Sequence, residues 1–447
     1  MLSAPDNDQA TSPLLPRPTV LLASAASGGT IAAVRTLDQA GIETHVIASG
    51  LLSPAVWSRH VVRTYSAPPE IHGRHFLNRL LEIGSANPGL VILPTSDQTA
   101  HLYATHAKEL SKYFHLYQPP LDSLRRILDK KLFTEAALRV GVDSLPCWAP
   151  ENSDQLRALA PMLPYPILIK PRTHVQRTRN DKGVVVESAT ELIARYKSFV
   201  ARERFQAERN DGVDHGPILQ PFVVDGSDRV QSVTGFIDRT GSLFVTRRSV
   251  KVFQRSQPIG VGVCHESLPS SPSLSHAVYK LCRELNYFGI FEVEFIRFNG
   301  HWAAIDFNPR LYNQIGLDIR RGMPLPLLAF LDATGQNGTL QEAVAKASIE
   351  DENVLVFNDR FTLNAILLAQ ALFLRQSREE RTRWRQWMLR HSSCAVDVAL
   401  DKYDWPPGVV HALSETFLGL RALPRFLLAK SESSLVVPPA PPKVQSL

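Results

Sequence analysis

Two acids twelve positions apart, Glu294 and Asp306, followed by Asn308 and Arg310, are the residues of this chain whose types and spacing offer chemistry. Carboxylate and amide oxygens are hard donors, and one or two carboxylates completed by water and phosphate oxygens are what Mg²⁺ takes in nucleotide sites. A guanidinium at Arg310 can then face a phosphate, or a carboxylate bound to the metal. Lys170 is the second candidate, because it ends the apolar run PYPILIK and is followed by Pro171. An ammonium left unpaired at the edge of a buried sheet is costly, so this lysine needs an anion.

The element that must position the acids runs from Gly289 to Arg310. Two β-type runs, IFEVEFIRF and HWAAIDF, flank Asn299-Gly300, which predicts a tight antiparallel hairpin. Alternation puts Glu292, Glu294 and Ile296 on one face of the first strand, and Ala304, Asp306 and Asn308 on one face of the second. Register decides whether the acids meet. A strict two-residue turn pairs Glu294 with Ile305, whereas a three-residue turn with Gly300 left-handed pairs it with Asp306. A surface hairpin with hydrated acids is the plainer alternative.

In type and spacing, Glu294-Phe295, Asp306, Asn308 and Arg310 resemble the metal-binding hairpin of the ATP-grasp superfamily, E-F … E-x-N-x-R, with Asp306 where most members have Glu. The resemblance favours the bulged turn and implies ATP together with Mg²⁺ or Mn²⁺. It also implies the roles of other residues. The segment DKKLFTEAALRVGVDSLP resembles the family's linker, in which Lys130 matches the lysine that reaches the nucleotide phosphates, and Lys170 matches a second phosphate contact. The family's Gly-rich mobile loop is replaced here by RTHVQRTRNDKGVVV, a basic lid with Arg177, Arg179 and Lys182 as phosphate candidates.

ILQPFV resembles the hinge on which adenine rests. Backbone groups at about Pro221 and Val223 would meet the base edge, with Gln220 in place of the usual acid, and Pro221 keeps only its carbonyl as an acceptor. The following DGSD supplies Asp225 and Asp228 as ribose contacts or as a turn. RRSVKV resembles the basic strand of biotin carboxylases that ends near the γ-phosphate, with Lys251 and Arg248 as the catalytic cations beside Arg310. After Arg310, LYNQIGLDIRRGMPLP resembles the carboxylate-amine ligase branch that includes D-aspartate ligase. The resemblance spans Val20 to Gly335.

Upstream, TVLLAS, the turn AASGGT, a helix Ile31–Ala40 and GIETHVIAS predict a βαβ opening, Rossmann-like but without G-x-G-x-x-G. The helix N-terminus should face the cleft. LVILP is a further buried strand, followed by Thr95-Ser96-Asp97 capping a helix to about Leu110. In the resembling ligases this domain binds acceptor substrate, which makes Ser27, Gly28 and Asp97 candidate substrate contacts; capping is the blander reading of Asp97. A continuous helix is expected over Leu121–Gly141, strands over 230–238 and 242–252, a loop at QPIGVGVCHES, and a helix Leu274–Leu285.

These readings divide the chain into a disordered lead-in 1–18 and a Rossmann-like domain 19–119. An ATP-grasp domain 120–335 follows, with a lid lobe near 165–222 and a metal lobe near 223–335; an α-rich extension 336–430 and a disordered tail 431–447 complete it. The expected fold class is α/β, of ATP-grasp type. With 447 residues and a net charge of +6, nothing demands nucleic acid as a partner. Four scattered cysteines suit a reducing cytosol, and the N-terminus lacks a signal-peptide pattern, so the expected location is cytoplasmic. No apolar run is long enough to span a bilayer.

Thr362–Leu374 is apolar and leads into RQSREERTRWRQWMLRH, which reads as a helix packed on the core with one charged face, or as contact with an anionic membrane surface through 362–391. A homodimer is left open. The expected activity is ATP- and Mg²⁺-dependent ligation of a small acid to an amine through an acyl-phosphate. The alternatives are a bicarbonate-using carboxylase or carbamoyl-phosphate-type enzyme, and an inactive ATP-binding subunit.

Overall fold

The structure is a computed structural model that describes residues 18–178, 182–203, 216–223, 230–255, 260–349, 355–373 and 377–428. Strands β1 (Val20–Leu22), β2 (Thr44–Ala48), β3 (Arg63–Ser66), β4 (Leu90–Leu93) and β5 (Phe114–Leu116) form a parallel sheet in the order β3-β2-β1-β4-β5. The expected βαβ opening is therefore present. The order reverses between β1 and β4, which opens a crevice at their carboxyl ends. Helix Gly28–Gln39 begins there, three residues before the expected Ile31, because Ser27 caps it by accepting from the Gly29 amide at 3.2 Å. In the helix after β4 the cap is Ser96, in a capping box with Thr99, and not Asp97. That leaves the Asp97 carboxylate available for another partner.

The helix expected to run unbroken over Leu121–Gly141 is two, Leu121–Leu128 and Lys130–Arg139, with Asp129 extended between them. One Asp129 oxygen accepts from the amides of Lys131 (3.0 Å) and Leu132 (3.2 Å), and the other from Arg172 Nε at 2.6 Å. Helical periodicity continues across such a break, so apolar spacing did not reveal it. The break makes Lys130 the first residue of a new helix.

Strands β6 (Ile167–Lys170), β7 (Val184–Val186) and β8 (Ile218–Pro221) form a small antiparallel sheet in the order β7-β6-β8, covered by Leu192 and Phe199 of helix Ala189–Arg202. The larger sheet contains β9 (Gln231–Ile237), β10 (Phe244–Arg255), β11 (Val261–Leu268), β12 (Gly289–Phe298), β13 (His301–Asn308), β14 (Val356–Asn358) and β15 (Ala395–Asp397), ordered β13-β12-β9-β10-β11-β14-β15. The expected loop QPIGVGVCHES is largely strand β11, with 256–259 outside the described residues. Its glycines lower strand propensity, but pairing along β10 overrides it.

At the hairpin, Asn299 (φ 48°) and Gly300 (φ 85°) are both left-handed, and Phe298 pairs with His301. The turn is thus the two-residue form, yet Glu294 pairs with Asp306. The expected register holds for a different reason: the extra residue is Ile305, at a bulge between Ala304 and Asp306. Ala304 is held from outside the ladder, its amide donating to Asp143 O at 2.8 Å and its carbonyl accepting from Ser144 Oγ at 2.8 Å. The linker strand thereby re-aims the two residues that follow.

Helix Leu325–Ala333 is buried along nearly its whole length, and its cluster includes Val20 and Leu22 of the first sheet, Ile31 of helix Gly28–Gln39, and Phe236 and Ile290 of the larger sheet. A single core therefore locks the two sheets together. The C-terminal region is fastened by Asp404, which accepts from Arg35 Nε (2.9 Å), Ser58 Oγ (2.8 Å) and the Arg59 amide (3.0 Å). Burial raises the Asp404 pKa, but Arg35 and these donors bring the net shift below the usual range, so the clamp stabilises at neutral pH and weakens as pH falls below ordinary carboxylate values. Asp404→Ala leaves Arg35 the carbonyls of Ala399 and residue 404 but no counter-charge, and is expected to cost about 3 kcal/mol in urea unfolding, and Asp404→Asn roughly half that. A loss below about 1 kcal/mol for the alanine variant would mean that Arg35 finds other acceptors.

Candidate active site

A cavity of 280 Å³ opens between the small sheet and the hairpin face of the larger sheet. Its wall holds Lys130, Lys170, Lys182, Lys251 and Arg310 against three carboxylates, Glu292, Glu294 and Asp306. Three of the lysines arrive from different elements, Lys130 from the helix break, Lys170 from the last position of β6 and Lys251 from β10, and Lys182 from the segment before β7. Two acids pair directly with cations, Lys130 Nζ to Asp306 at 2.5 Å and Lys251 Nζ to Glu294 at 2.9 Å. Burial acts to lower the Lys130 pKa and to raise that of Asp306, but their mutual attraction reverses both, keeping the lysine charged and the acid ionised.

Lys170 and Lys182 have no partner among the described residues. Burial and then Lys130 lower the Lys170 pKa to about 8, and burial also lowers that of Lys182. Unneutralised cations turned into one cavity leave a site for an anion. His174 and His265, also on the wall, are kept neutral by burial and neighbouring cations; for His265 the value falls to about 3.

Sequence reasoning gave Glu292 no role. Alternation had already put it on the face of Glu294, and it proves to be the most buried acid of the site. It accepts from Ser232 Oγ (2.8 Å), Asn308 Nδ2 (3.0 Å) and Gln314 Nε2. Burial, with Glu294 beside it, lifts its pKa to about 7. His265, Gln254, Asn313 and Gln314 were missed as well. The first two lie on or beside the strand read as a loop, and the last two carry no pattern that a single sequence reveals.

Arg310 extends from the hairpin's end to Asp97 Oδ1 (Nε, 2.8 Å) and to Asn308 Oδ1 (3.1 Å). Asp97 therefore orients the guanidinium and does not cap a helix. Next to it, Gln98 joins the parallel-sheet domain to the segment after β6, donating to His174 O (3.1 Å) and accepting from the Gln176 amide (2.9 Å). The Gly28 amide donates to Asn313 Oδ1 at 3.1 Å, and a Cβ on Gly28 would fall 2.7 Å from that oxygen. Ser27 and Gly28 thus adjoin the cavity through Asn313 and do not line it.

Two expected cations lie elsewhere. Arg248 sits one residue out of phase with Lys251 on β10 and emerges on the opposite face, where Val250 packs against the Trp384 cluster. Arg177 is buried in a two-bonded pair with Glu203 (2.7 and 2.5 Å), which makes it structural. Arg179, Asp225 and Asp228 lie outside the described residues.

At the far end, Gln220, Pro221 and Val223 line the cavity. The Gln220 side-chain oxygen is buried with no hydrogen-bond partner among the described residues. An orphaned acceptor there fits the amino group of a bound base. Among the described residues no group of three His, Cys, Asp or Glu could hold a metal by itself. Two facing carboxylates that leave the remaining positions to phosphate and water fit Mg²⁺, which binds in that way in nucleotide sites.

Solved structures share this architecture. Biotin carboxylase from Campylobacter jejuni, in a complex described as β-γ-ATP, superposes with a TM-score of 0.58 at 17% identity, over 76% of this chain and 74% of that one. The fold is that of the ATP-grasp enzymes. The biotin carboxylase domain of Hydrogenobacter thermophilus 2-oxoglutarate carboxylase, a dimer with MgADP and bicarbonate, gives 0.57 at 17% identity over 71% and 70%. N5-carboxyaminoimidazole synthetase from Staphylococcus aureus gives 0.52 at 14% over 70% and 77%. No family model matches the chain, and no curated protein matches it significantly by sequence. No helix of the described residues is long and apolar enough to cross a membrane.

Proposed function

We propose that the protein is an ATP-dependent ligase that activates a carboxylate as an acyl-phosphate and passes the acyl group to an amine. The observation that carries this reading is the Glu294–Asp306 register pair, flanked by Lys130 and Lys251 and facing the unpartnered Lys170 and Lys182. Five cations against three acids leave an excess of positive charge, which a magnesium-bound triphosphate would offset. Gln220, Pro221 and Val223 would take the base, and Lys130, Lys170 and Lys182 the phosphates. Glu294 and Asp306, with Asn308, would hold Mg²⁺, which neutralises charge developing on the transferred phosphoryl group.

A substrate carboxylate oxygen would attack the γ-phosphorus and release ADP, with Lys251 and Arg310 stabilising the transferred group. The amine would then attack the acyl carbon, expel phosphate and lose a proton to water. Such chemistry is positioning and charge neutralisation, which explains a site of lysines and acids.

One observation favours a second reading, in which bicarbonate is the acid: a structural neighbour is a complex that contains that anion as well as MgADP. ADP release in the presence of ATP and Mg²⁺, with amino acids and amines in pairs and with bicarbonate alone, tests both. Turnover that requires an organic acid and an amine is expected. Bicarbonate-dependent turnover without an organic acid would replace the ligase reading with the carboxylase one, and nucleotide binding without turnover on any pair would overturn both.

A further inference from the structure

Outside the cavity, the C-terminal region carries a surface that the ligase reading leaves unexplained. Helix Arg360–Leu372 buries Leu363 against Trp384 and Trp387 of helix Arg378–Arg390. Its other side presents Phe361, Leu368 and Leu372, spaced so that they fall on one stripe, with Leu372 70% exposed. Helix Pro406–Leu428 presents a second stripe, Val409, Leu413, Phe417 and Leu420, and every residue from Thr416 to Arg421 is exposed. Soluble surfaces rarely carry such continuous apolar strips without an occupant.

Charge selects the occupant. Residues 360–430 contain eleven Lys and Arg against six Asp and Glu, a net +5 of the chain's +6. Three of those acids are turned inward: Asp404 to Arg35, Glu415 to Arg255 and Asp397 to the amides of Ala399 and Leu400. By contrast Arg378, Arg385 and Arg390 are exposed away from the buried tryptophans, as is Arg383, which pairs at 3.7 Å with the exposed Glu379. Cations also flank the apolar side chains, with Arg421 Cζ 5.4 Å from the Phe417 ring and Lys402 Nζ 4.5 Å from that of Tyr403. A second copy docked isologously would set arginines against arginines. An anionic bilayer takes both components at once, the apolar stripes among acyl chains and the cations among headgroups.

We propose that these helices dock the protein on an anionic membrane surface, lying along it without crossing it. The full-length protein is mixed with vesicles of equimolar phosphatidylglycerol and phosphatidylcholine, or of phosphatidylcholine alone, and sedimented. Binding is expected only to the anionic vesicles and should weaken steeply as salt is raised. Leu368→Asp/Leu372→Asp and Leu413→Asp/Phe417→Asp, at exposed positions, should each reduce it at least tenfold with unchanged thermal midpoints. Arg383→Glu/Arg385→Glu/Arg390→Glu should reduce it without touching the stripes. Failure to sediment with anionic vesicles overturns the proposal. So does equal binding to neutral vesicles, or a dimer that the aspartate variants dissociate while vesicles have no effect. ADP release assayed without vesicles is independent of this outcome.

Discussion

Glu294→Gln and Asp306→Asn are each expected to reduce ADP formation by at least about a thousandfold, roughly 4 kcal/mol of barrier. The variants conserve shape and hydrogen bonding but remove one negative charge, and an Mg²⁺ held here as proposed would have the facing pair Glu294 and Asp306 as its anionic protein ligands. An amide oxygen in either place leaves the ion a single anionic ligand from the pair. The same change leaves Lys130 or Lys251 without its counter-charge among cations that already outnumber the acids. The site then attracts free nucleotide while failing to hold the ion.

ATP added without metal should therefore still raise the melting temperature of both variants, whereas Mg²⁺ should add nothing further. Folding should survive with a modest loss of stability, because the amide carbonyl still accepts from the ammonium while the counter-charge is gone. Normal turnover in either variant would remove that acid from the metal site, and normal turnover in both would remove the hairpin from the chemistry.

How much of this was legible in the sequence depended on whether the signal was local. The hairpin, the faces of its strands and the isolated Lys170 were readable, because alternation and turn residues act over a few positions. The register outcome was also anticipated, yet its cause was not: the bulge at Ile305 is imposed by Asp143 and Ser144, far upstream, and no local pattern contains that contact. The helix break at Asp129 was hidden because capping by Asp129 interrupts the backbone without interrupting the apolar period. Arg248 shows the reverse error, since a basic residue near Lys251 was credited with a role that strand phase denies it. Asp97 was read by what it could do for its own helix, and its partner Arg310 lies 213 positions away. Local rules thus locate candidate groups, while tertiary contacts decide which of them converge.

Lys170 is where the missing partner itself makes a prediction. Its ammonium has burial and Lys130 against it, and only more distant acids in its favour, which brings its pKa down to about 8. A bound polyphosphate supplies the anion that the apoprotein lacks, so nucleotide binding and protonation of this lysine must reinforce each other. Since the free lysine loses its proton as pH rises through about 8, ATP affinity should be full below that value and decline above it. Lys170→Gln removes a charge-assisted contact worth about 2–3 kcal/mol and should raise the KM for ATP about 30- to 100-fold at neutral pH. It should also abolish the alkaline decline.

Lys170→Arg separates charge from geometry. A guanidinium stays protonated far above this range, so this variant should lose the alkaline decline while keeping most of the neutral-pH affinity. An alkaline decline that persists unchanged in the arginine variant would assign the titration to another group. An unaltered KM in the glutamine variant would mean that the phosphates lie elsewhere in the cavity.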